Sequence, residues 1–186
     1  MGVQSARSQP VTILTPIPRW WAWWLRFSWP GAERFPLVST IVHAPLLKLR
    51  FIHFAHWGLL SRLPSRGGER LPDPFIVFNS NFNGDVNAYL DAFSIMVPVR
   101  MRLLWQGAYN FPGPLPLGRF RDYVMSRALT ARHYYCAYPE ASAKTIVAGL
   151  ELLDHFPLLA RDAAELGAEE FAEKWHEFLA KRGELL

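Results

Sequence analysis

Residues 49–60 read Leu49-Arg50-Phe51-Ile52-His53-Phe54-Ala55-His56-Trp57-Gly58-Leu59-Leu60, a mostly apolar run with the residue types of a central β-strand and two histidines within it. Side chains of a strand alternate between its two faces, so His53 shares one face with Ala55 and Trp57, whereas His56 lies on the other. Both faces are mostly apolar, so both need to be covered. Helices can cover one of them, and a second sheet or another subunit is expected to cover the other.

The segments around this strand predict a β-α-β-β-α-β order. They are a strand at 11–17, an aromatic helix at 19–29, the central strand, a strand at 75–82, a helix that starts at Val86 and breaks at Pro98, a short helix at 118–129 and a strand at 131–138. Asp85 is a good N-cap for the helix at Val86. We therefore expect an α+β fold of the ferredoxin-like type. Its one antiparallel sheet would bury its exposed face against a second sheet, as in a dimeric α/β-barrel.

The chain divides into three expected parts. They are a flexible N-terminus at 1–10, the ferredoxin-like α+β domain at 11–155, which includes the aromatic helix, and a C-terminal helical extension at 156–186. Ser142 is expected to cap a helix that ends near His155, because Pro157 cannot continue its hydrogen bonding. A last helix is predicted from Ala168 to about Arg182.

The net charge of +4 is unevenly spread along the chain. Residues 1–60 carry six basic side chains against one acid, whereas residues 151–186 carry four against nine. A basic body and an acidic tail permit contact with an anionic surface or with a second copy, and the expected partners are a homodimer mate, a ferredoxin-like subunit or a larger membrane complex, not nucleic acid. The single Cys136 excludes an internal disulfide and a cysteine-based metal cluster.

No apolar run approaches the roughly 20 residues needed to cross a bilayer, and no segment has the pattern of a secretory signal. The expected location is therefore cytoplasmic, including a peripheral position on the inner face of the membrane.

The aromatic helix has five tryptophans in ten positions. Such rings either cover the sheet and seal a subunit contact or anchor the chain at the headgroup level of a membrane, where flanking arginines are favourable. Three further arginines lie in the segment 61–73, which its prolines and glycines predict to be a loop able to meet phosphate or lipid headgroups. The candidate interface residues are Trp20, Trp21, Trp23, Trp24, Arg19, Arg26, Arg62, Arg66 and Arg70.

Several segments resemble a bacterial family with the dimeric α/β-barrel fold. They are Thr15-Pro16-Ile17, Phe51-Ile52-His53-Phe54-Ala55 followed by Trp57, Ser80-Asn81-Phe82-Asn83-Gly84, 105–111 and 134–139. Members of that family are described as similar to dye-decolourising, heme-dependent peroxidases. The resemblance covers roughly residues 11 to 155 and implies a heme cofactor with peroxidase-like or oxygen-handling chemistry.

Peroxidases of that type use a Gly-x-x-Asp-Gly turn whose aspartate helps to cleave the peroxide bond. The nearest stretch here ends in Asn83-Gly84, so an amide stands where the resemblance implies an acid. An amide cannot transfer a proton as a carboxylate does. Asp85 follows Gly84 directly, but its side chain is expected to serve as the N-cap of the helix at Val86.

His53 is the best candidate for an axial heme ligand or an acid/base group, because imidazole is a common ligand of heme iron. The alternative is a buried histidine that bonds to a neighbouring strand or to Asn79 or Asn81. His133 and Tyr135 are expected to line the same cavity as these amides. His56 is expected to be a packing or interface residue.

Three functions remain open at this point. The first is a heme-binding, peroxidase-like protein with His53 as the metal ligand. The second is a non-catalytic subunit that docks on a larger, membrane-bound assembly through its tryptophan helix and basic face. The third is a small-molecule binding barrel without metal.

Overall fold

The computed structural model describes residues 8–34, 49–63, 65 and 67–182. In chain order, the elements are β1 (Ser8–Pro16), α1 (Arg19–Arg34), β2 (Ile52–Leu63), β3 (Glu69–Asn83), α2 (Val86–Met96), α3 (Pro98–Trp105), α4 (Leu117–Met125), β4 (Ala128–Leu129), α5 (Ala143–Glu165) and α6 (Ala168–Arg182). The chain is therefore α+β, as predicted.

The four strands form one antiparallel sheet in the order β2-β3-β1-β4. The long strand β3 is central, since it pairs with β1 from Ser8↔Asn83 to Pro16↔Phe75 and with β2 along its other edge. The edge strand β4 adds two pairs, Thr12↔Leu129 and Ile13↔Ala128.

The core lies between one face of this sheet and helices α1 to α4. Alternate residues of β1 and β3 are buried there, and Phe78 packs against Phe93 and Trp105 with ring centroids 5.8 Å apart. Phe82 stacks on Tyr89 at 4.1 Å. The buried residues that form this core include Val11, Ile13, Ala22, Leu25, Ile76, Leu90, Met101, Phe120 and Val124.

Several predicted helix signals are confirmed. Asp85 accepts hydrogen bonds from the backbone N–H groups of Asn87 and Ala88 at 2.8 and 3.1 Å, and Pro98 separates α2 from α3. Ser142 caps α5, and α6 has the predicted bounds.

The prediction of a last strand at 131–138 is wrong. In the described residues, this part of the chain pairs with the outer edge of β1 through Ala128 and Leu129, and residues 130–138 then continue past the sheet edge without regular structure. Tyr134 attaches this segment instead through its hydroxyl, which bonds to Ser8 and Asn81. Side-chain contacts thus replace the backbone ladder that the alternating pattern suggested.

Other element bounds differ from the prediction for identifiable reasons. Residues 8–10 belong to β1 and pair with β3. The predicted loop 61–73 is mostly strand, because β2 continues to Leu63 and β3 begins at Glu69. Helix α5 continues through Pro157, which has no N–H to donate to the carbonyl of Leu153, and Leu153 is an exposed residue.

Candidate functional site

His53 Nε2 bonds neither to Asn79 nor to Asn81, the amides considered as partners of a His53 that is not a ligand. This histidine lies at an irregularity in the pairing of β2 with β3, between the pairs Ile52↔Phe82 and Phe54↔Asn81. Its Nε2 atom is buried and has no hydrogen-bond partner in the part of the chain that the structure describes. His53 is therefore half-buried, and Asn79 and Asn81 bond to His56 and Tyr134 instead.

His56, and not His53, is the histidine that contacts one of these amides. Phe54 and His56 lie on the outer face of the sheet, because Ala55 and Trp57 pack against the core. The side-chain nitrogen of Asn79 lies 3.3 Å from His56 Nδ1. When this amide donates, the ring carries its proton on Nε2 and presents a hydrogen-bond donor to the outside, not a lone pair for a metal.

His56 and Asn79 begin a polar strip on the outer face of the sheet, and Asn81 continues it. Its amide donates to the Tyr134 hydroxyl at 2.9 Å, and that hydroxyl bonds to Ser8 Oγ at 2.7 Å. His133 and Tyr135 flank Tyr134 but are exposed, Tyr135 to 87%, so they do not line a cavity with the amides. The structure thus brings His56, Asn79, Asn81 and Tyr134 onto one surface.

The two residues considered for acid/base chemistry have structural roles. Asn83 Oδ1 accepts a hydrogen bond from the backbone N–H of Ala143 at 2.9 Å and so joins the end of β3 to the start of α5. Asp85 caps α2. Each side chain therefore satisfies backbone groups at a helix start.

One cavity lies in the core between the sheet and the helices. Its volume is about 20 Å³, which is room for roughly one water molecule. Tyr89 and Tyr123 are its titratable lining residues, and burial raises the pKa of Tyr89 and raises the pKa of Tyr123 to about 12. Both phenols stay neutral at physiological pH, so this cavity belongs to the core and offers no charged group.

The most unusual surface is on α1. Its buried side carries Ala22 and Leu25, and on the opposite side Trp20, Trp23, Trp24 and Phe27 form what we call the aromatic surface. Their spacing of i, i+3, i+4 and i+7 places them on one face. These rings are exposed to 64%, 65%, 38% and 61%, respectively, although apolar rings of this size are normally buried.

Trp21 differs from its neighbours because it attaches α1 to the rest of the domain. Its Nε1 donates to the carbonyl of Leu104 at 3.0 Å, and its ring stacks on Trp24 at 4.7 Å. The ring lies directly against Gly107, where no side chain would fit. The aromatic surface is therefore carried by a helix that is held in position.

Arginines flank the aromatic surface. Arg19 and Arg26 are exposed on α1. Arg62 and Arg70 are also exposed and stand directly opposite each other on β2 and β3. Like charges at opposed positions destabilise a strand pair. Arg66 lies outside the described residues.

The arginine pair is at the same end of the sheet as the start of α1. The N–H of Ile17, two residues before α1, donates to the carbonyl of Pro74 at 2.9 Å, and Arg70 is four residues before Pro74 on β3. Tyr134 and its partners Ser8 and Asn81 are at the other end.

The described residues contain no group of three or more His, Cys, Asp or Glu side chains placed to hold a metal ion. In the same residues, no helix has the length and apolar character needed to cross a membrane.

Fold and surface together define an α+β domain that carries an exposed aromatic helix face flanked by arginines. Comparison of the chain with protein-family models, curated proteins and solved structures gave no match.

Proposed function

We propose that this protein is an accessory subunit that docks peripherally on an anionic membrane surface through α1. The observation that carries the proposal is the exposure of Trp20, Trp23, Trp24 and Phe27 on one face of α1, opposite the face that packs on the sheet. A membrane surface offers an apolar layer for these rings together with headgroups that accept hydrogen bonds from the indole N–H groups.

The charges favour lipid as the partner of this surface. Amphipathic helices that lie in the membrane interface combine aromatic residues with basic residues at the border of the apolar face. Arg19 and Arg26 are at that border, because helical geometry puts them beside the column that contains Trp23. Anionic lipid attracts such side chains by about 1 kcal/mol each near the surface.

The arginine pair on the β2–β3 hairpin supports the same proposal. Arg62 and Arg70 repel each other across the strands, and an anionic headgroup between them would remove that cost. Since the pair lies at the end of the sheet where α1 begins, both basic groups can face one membrane.

The finer description of the fold is also a proposal. The strand order β2-β3-β1-β4, with α1 between β1 and β2, supports a ferredoxin-like unit. The outer face of its sheet carries apolar residues such as Leu14 and Val77 beside the polar strip, which supports its cover by a second sheet, as in a dimeric barrel.

Heme, which the family resemblance implies, fits the described residues poorly. His53 Nε2 is enclosed by protein atoms, so iron could reach it only after the local packing had opened. His56 is accessible, but its ring proton faces outward when Asn79 donates to Nδ1. Heme binding at His53 therefore stays a prediction of the resemblance, and we derive no reaction from it.

Vesicle co-sedimentation tests the docking proposal. The protein should sediment with phosphatidylcholine vesicles that contain about a third phosphatidylglycerol, and binding should weaken as salt is raised from 0.05 to about 0.5 M because screening removes the arginine contribution. Pure phosphatidylcholine should retain less protein at every salt concentration. Equal binding to neutral and anionic vesicles, or none to either, would contradict the proposal.

Arg70→Glu should weaken docking while it stabilises the fold. The change turns a repulsive pair with Arg62 into an attractive one, which is worth about 0.2–1 kcal/mol in the free energy of unfolding. Vesicle affinity should fall about tenfold, because one basic contact is lost and a repulsive charge is added. Urea unfolding and co-sedimentation measure the two effects.

The matched control for this change is Arg132→Glu. Arg132 is exposed on the segment 130–138 at the other end of the sheet, so the same change in net charge should leave vesicle affinity within about twofold. If both variants weaken binding equally, the effect belongs to net charge and not to the hairpin.

A further inference from the structure

Helix α5 has two apolar sides, and the described chain covers one of them. On the inner side, Ala148 and Leu159 are buried, and Leu152 and His155 between them are half-buried. The described elements leave α5 with α6 as its principal neighbour. The opposite side is exposed along its whole length.

The exposed side follows a strict heptad pattern. Its residues are spaced by four, three, four, three and four positions, which is the a/d spacing of helices that pack against another helix. All six are exposed, with Leu150 at 59% and Leu153 at 65%. We call this set the α5 stripe, and it consists of Ile146, Leu150, Leu153, Pro157, Ala160 and Ala164.

From this pattern we infer that α5 pairs with α5 of a second copy of this chain in an antiparallel helix pair. The inference concerns a surface distinct from the aromatic surface of α1 and does not depend on docking to a membrane.

The size of the exposed surface favours a second copy. Ile146, Val147, Leu150, Leu153, Phe156 and Leu158 of α5 are each exposed to between 39% and 65%. Five of them lie on the α5 stripe or directly beside it, whereas Leu158 is on another side of the helix. The five present roughly 450 Å² of apolar surface, so two copies would bury up to about 900 Å² from these side chains, and Pro157, Ala160 and Ala164 bring the total to about the size of a specific interface.

Heptad geometry also selects an arrangement of the two helices. When Leu150 packs against Leu153 of the other copy, Ile146 meets Pro157 and the flanking Phe156 comes opposite Gly149. Gly149 is exposed, and no atom apart from its own chain neighbours and its own helix backbone lies within 4 Å of the position that a Cβ would take there. The glycine thus leaves a notch where the exposed ring of Phe156 fits, and two-fold symmetry makes this contact twice.

Sedimentation equilibrium of the full chain between about 1 and 100 μM tests the inference. The protein should self-associate in this range, and Leu150→Asp/Leu153→Asp should halve the mass of the assembly, because a dimer formed through the sheet face, as in a dimeric barrel, does not use the α5 stripe. The control Val99→Asp/Leu103→Asp places the same changes on exposed residues of α3 and should leave the dimer intact. Dimerisation should also persist in Trp20→Ser/Trp23→Ser/Phe27→Ser, which separates it from association through α1.

Gly149→Leu gives a second test that does not remove apolar surface. The new side chain fills the notch, so the dimer should dissociate at least tenfold more readily, although the helix propensity of α5 rises. Adding Phe156→Ala in the same chain should restore dimerisation by making room for the leucine.

Three results would overturn the inference. They are a wild-type protein that is monomeric at 100 μM, an assembly whose mass is unchanged by Leu150→Asp/Leu153→Asp, and a Gly149→Leu variant that associates as tightly as the wild type or more tightly. Circular dichroism measures whether each variant is folded. If Leu150→Asp/Leu153→Asp is not folded, the Gly149→Leu variant tests the inference.

Discussion

Trp20→Ser/Trp23→Ser/Phe27→Ser is expected to lower the affinity for anionic vesicles at least 100-fold. These are the most exposed rings of α1, and Trp24 is kept because it supports Trp21 by stacking. Each ring would bury on the order of 100 Å² in the membrane interface, worth about 2.5 kcal/mol at most. A 100-fold loss needs about 2.7 kcal/mol, so partial insertion of three rings suffices.

The stability of this variant is the internal control. The three rings lie on the side of α1 that faces away from the core, and one of them, Trp20, packs on Trp21 edge-on at 5.4 Å, so the free energy of unfolding should change by less than about 1.5 kcal/mol. Tyr135→Ser/Tyr138→Ser removes two rings that are 87% and 74% exposed and should leave vesicle binding unchanged. Retained binding by the α1 variant would mean that the aromatic surface has another partner.

Gly107→Ala is expected to destabilise the fold by about 2–3 kcal/mol. A Cβ at this position would overlap Cγ and Cδ2 of the Trp21 ring and lie 2.6 Å from its Cε3. The ring cannot move away without losing its hydrogen bond to the Leu104 carbonyl and its stacking on Trp24. Overpacking costs about 1–3 kcal/mol and the lost hydrogen bond about 1 kcal/mol.

Urea unfolding followed by circular dichroism measures this loss. Gly118→Ala is the matched control, because Gly118 is exposed on α4 and a Cβ there meets nothing within 4 Å. It should be neutral or slightly stabilising, as expected for alanine in a helix. A Gly107→Ala protein as stable as the wild type would show that Trp21 does not hold α1 in place.

Together, the two α1 predictions separate the residue that holds the helix in place from the residues that bind the membrane. Trp21 should matter for stability, whereas Trp20 and Trp23 should matter for binding. The sequence alone could not assign these roles, because tryptophans at successive positions surround the helix, and Arg19 and Arg26 mark only the border of the exposed face.

Much of the architecture could be predicted from local patterns. Alternation in β2 and β3 and the Asp85 cap each reflect short-range geometry, so the α+β class and the order of the first elements followed from the sequence. The strand at 131–138 failed for the same reason. Its alternation of tyrosines resembles a strand, but pairing depends on the neighbouring edge. One edge of β1 pairs with β3, and in the described residues the other edge pairs with Ala128 and Leu129 and not with 131–138.

The position of the polar strip on the outer face could have been predicted from the sequence, whereas some of the contacts around it could not. Ala55 and Trp57 point to the core, which already puts His56 on the outer face, and Ile76 and Phe78 do the same for Asn79. Those patterns were sufficient to prefer His56 over His53 as the partner of the amides. The irregularity beside His53 and the opposition of Arg62 to Arg70 depend on register, which no local pattern determines.

Quenching of tryptophan fluorescence by brominated lipid tests the membrane proposal most directly. In vesicles of phosphatidylcholine and phosphatidylglycerol that carry bromine on the acyl chains near the headgroups, wild-type emission should be quenched relative to unbrominated vesicles. The quenching should be lost in Trp20→Ser/Trp23→Ser/Phe27→Ser. Emission that is equal in both kinds of vesicle, under conditions where the protein co-sediments with them, would contradict insertion of the aromatic surface of α1.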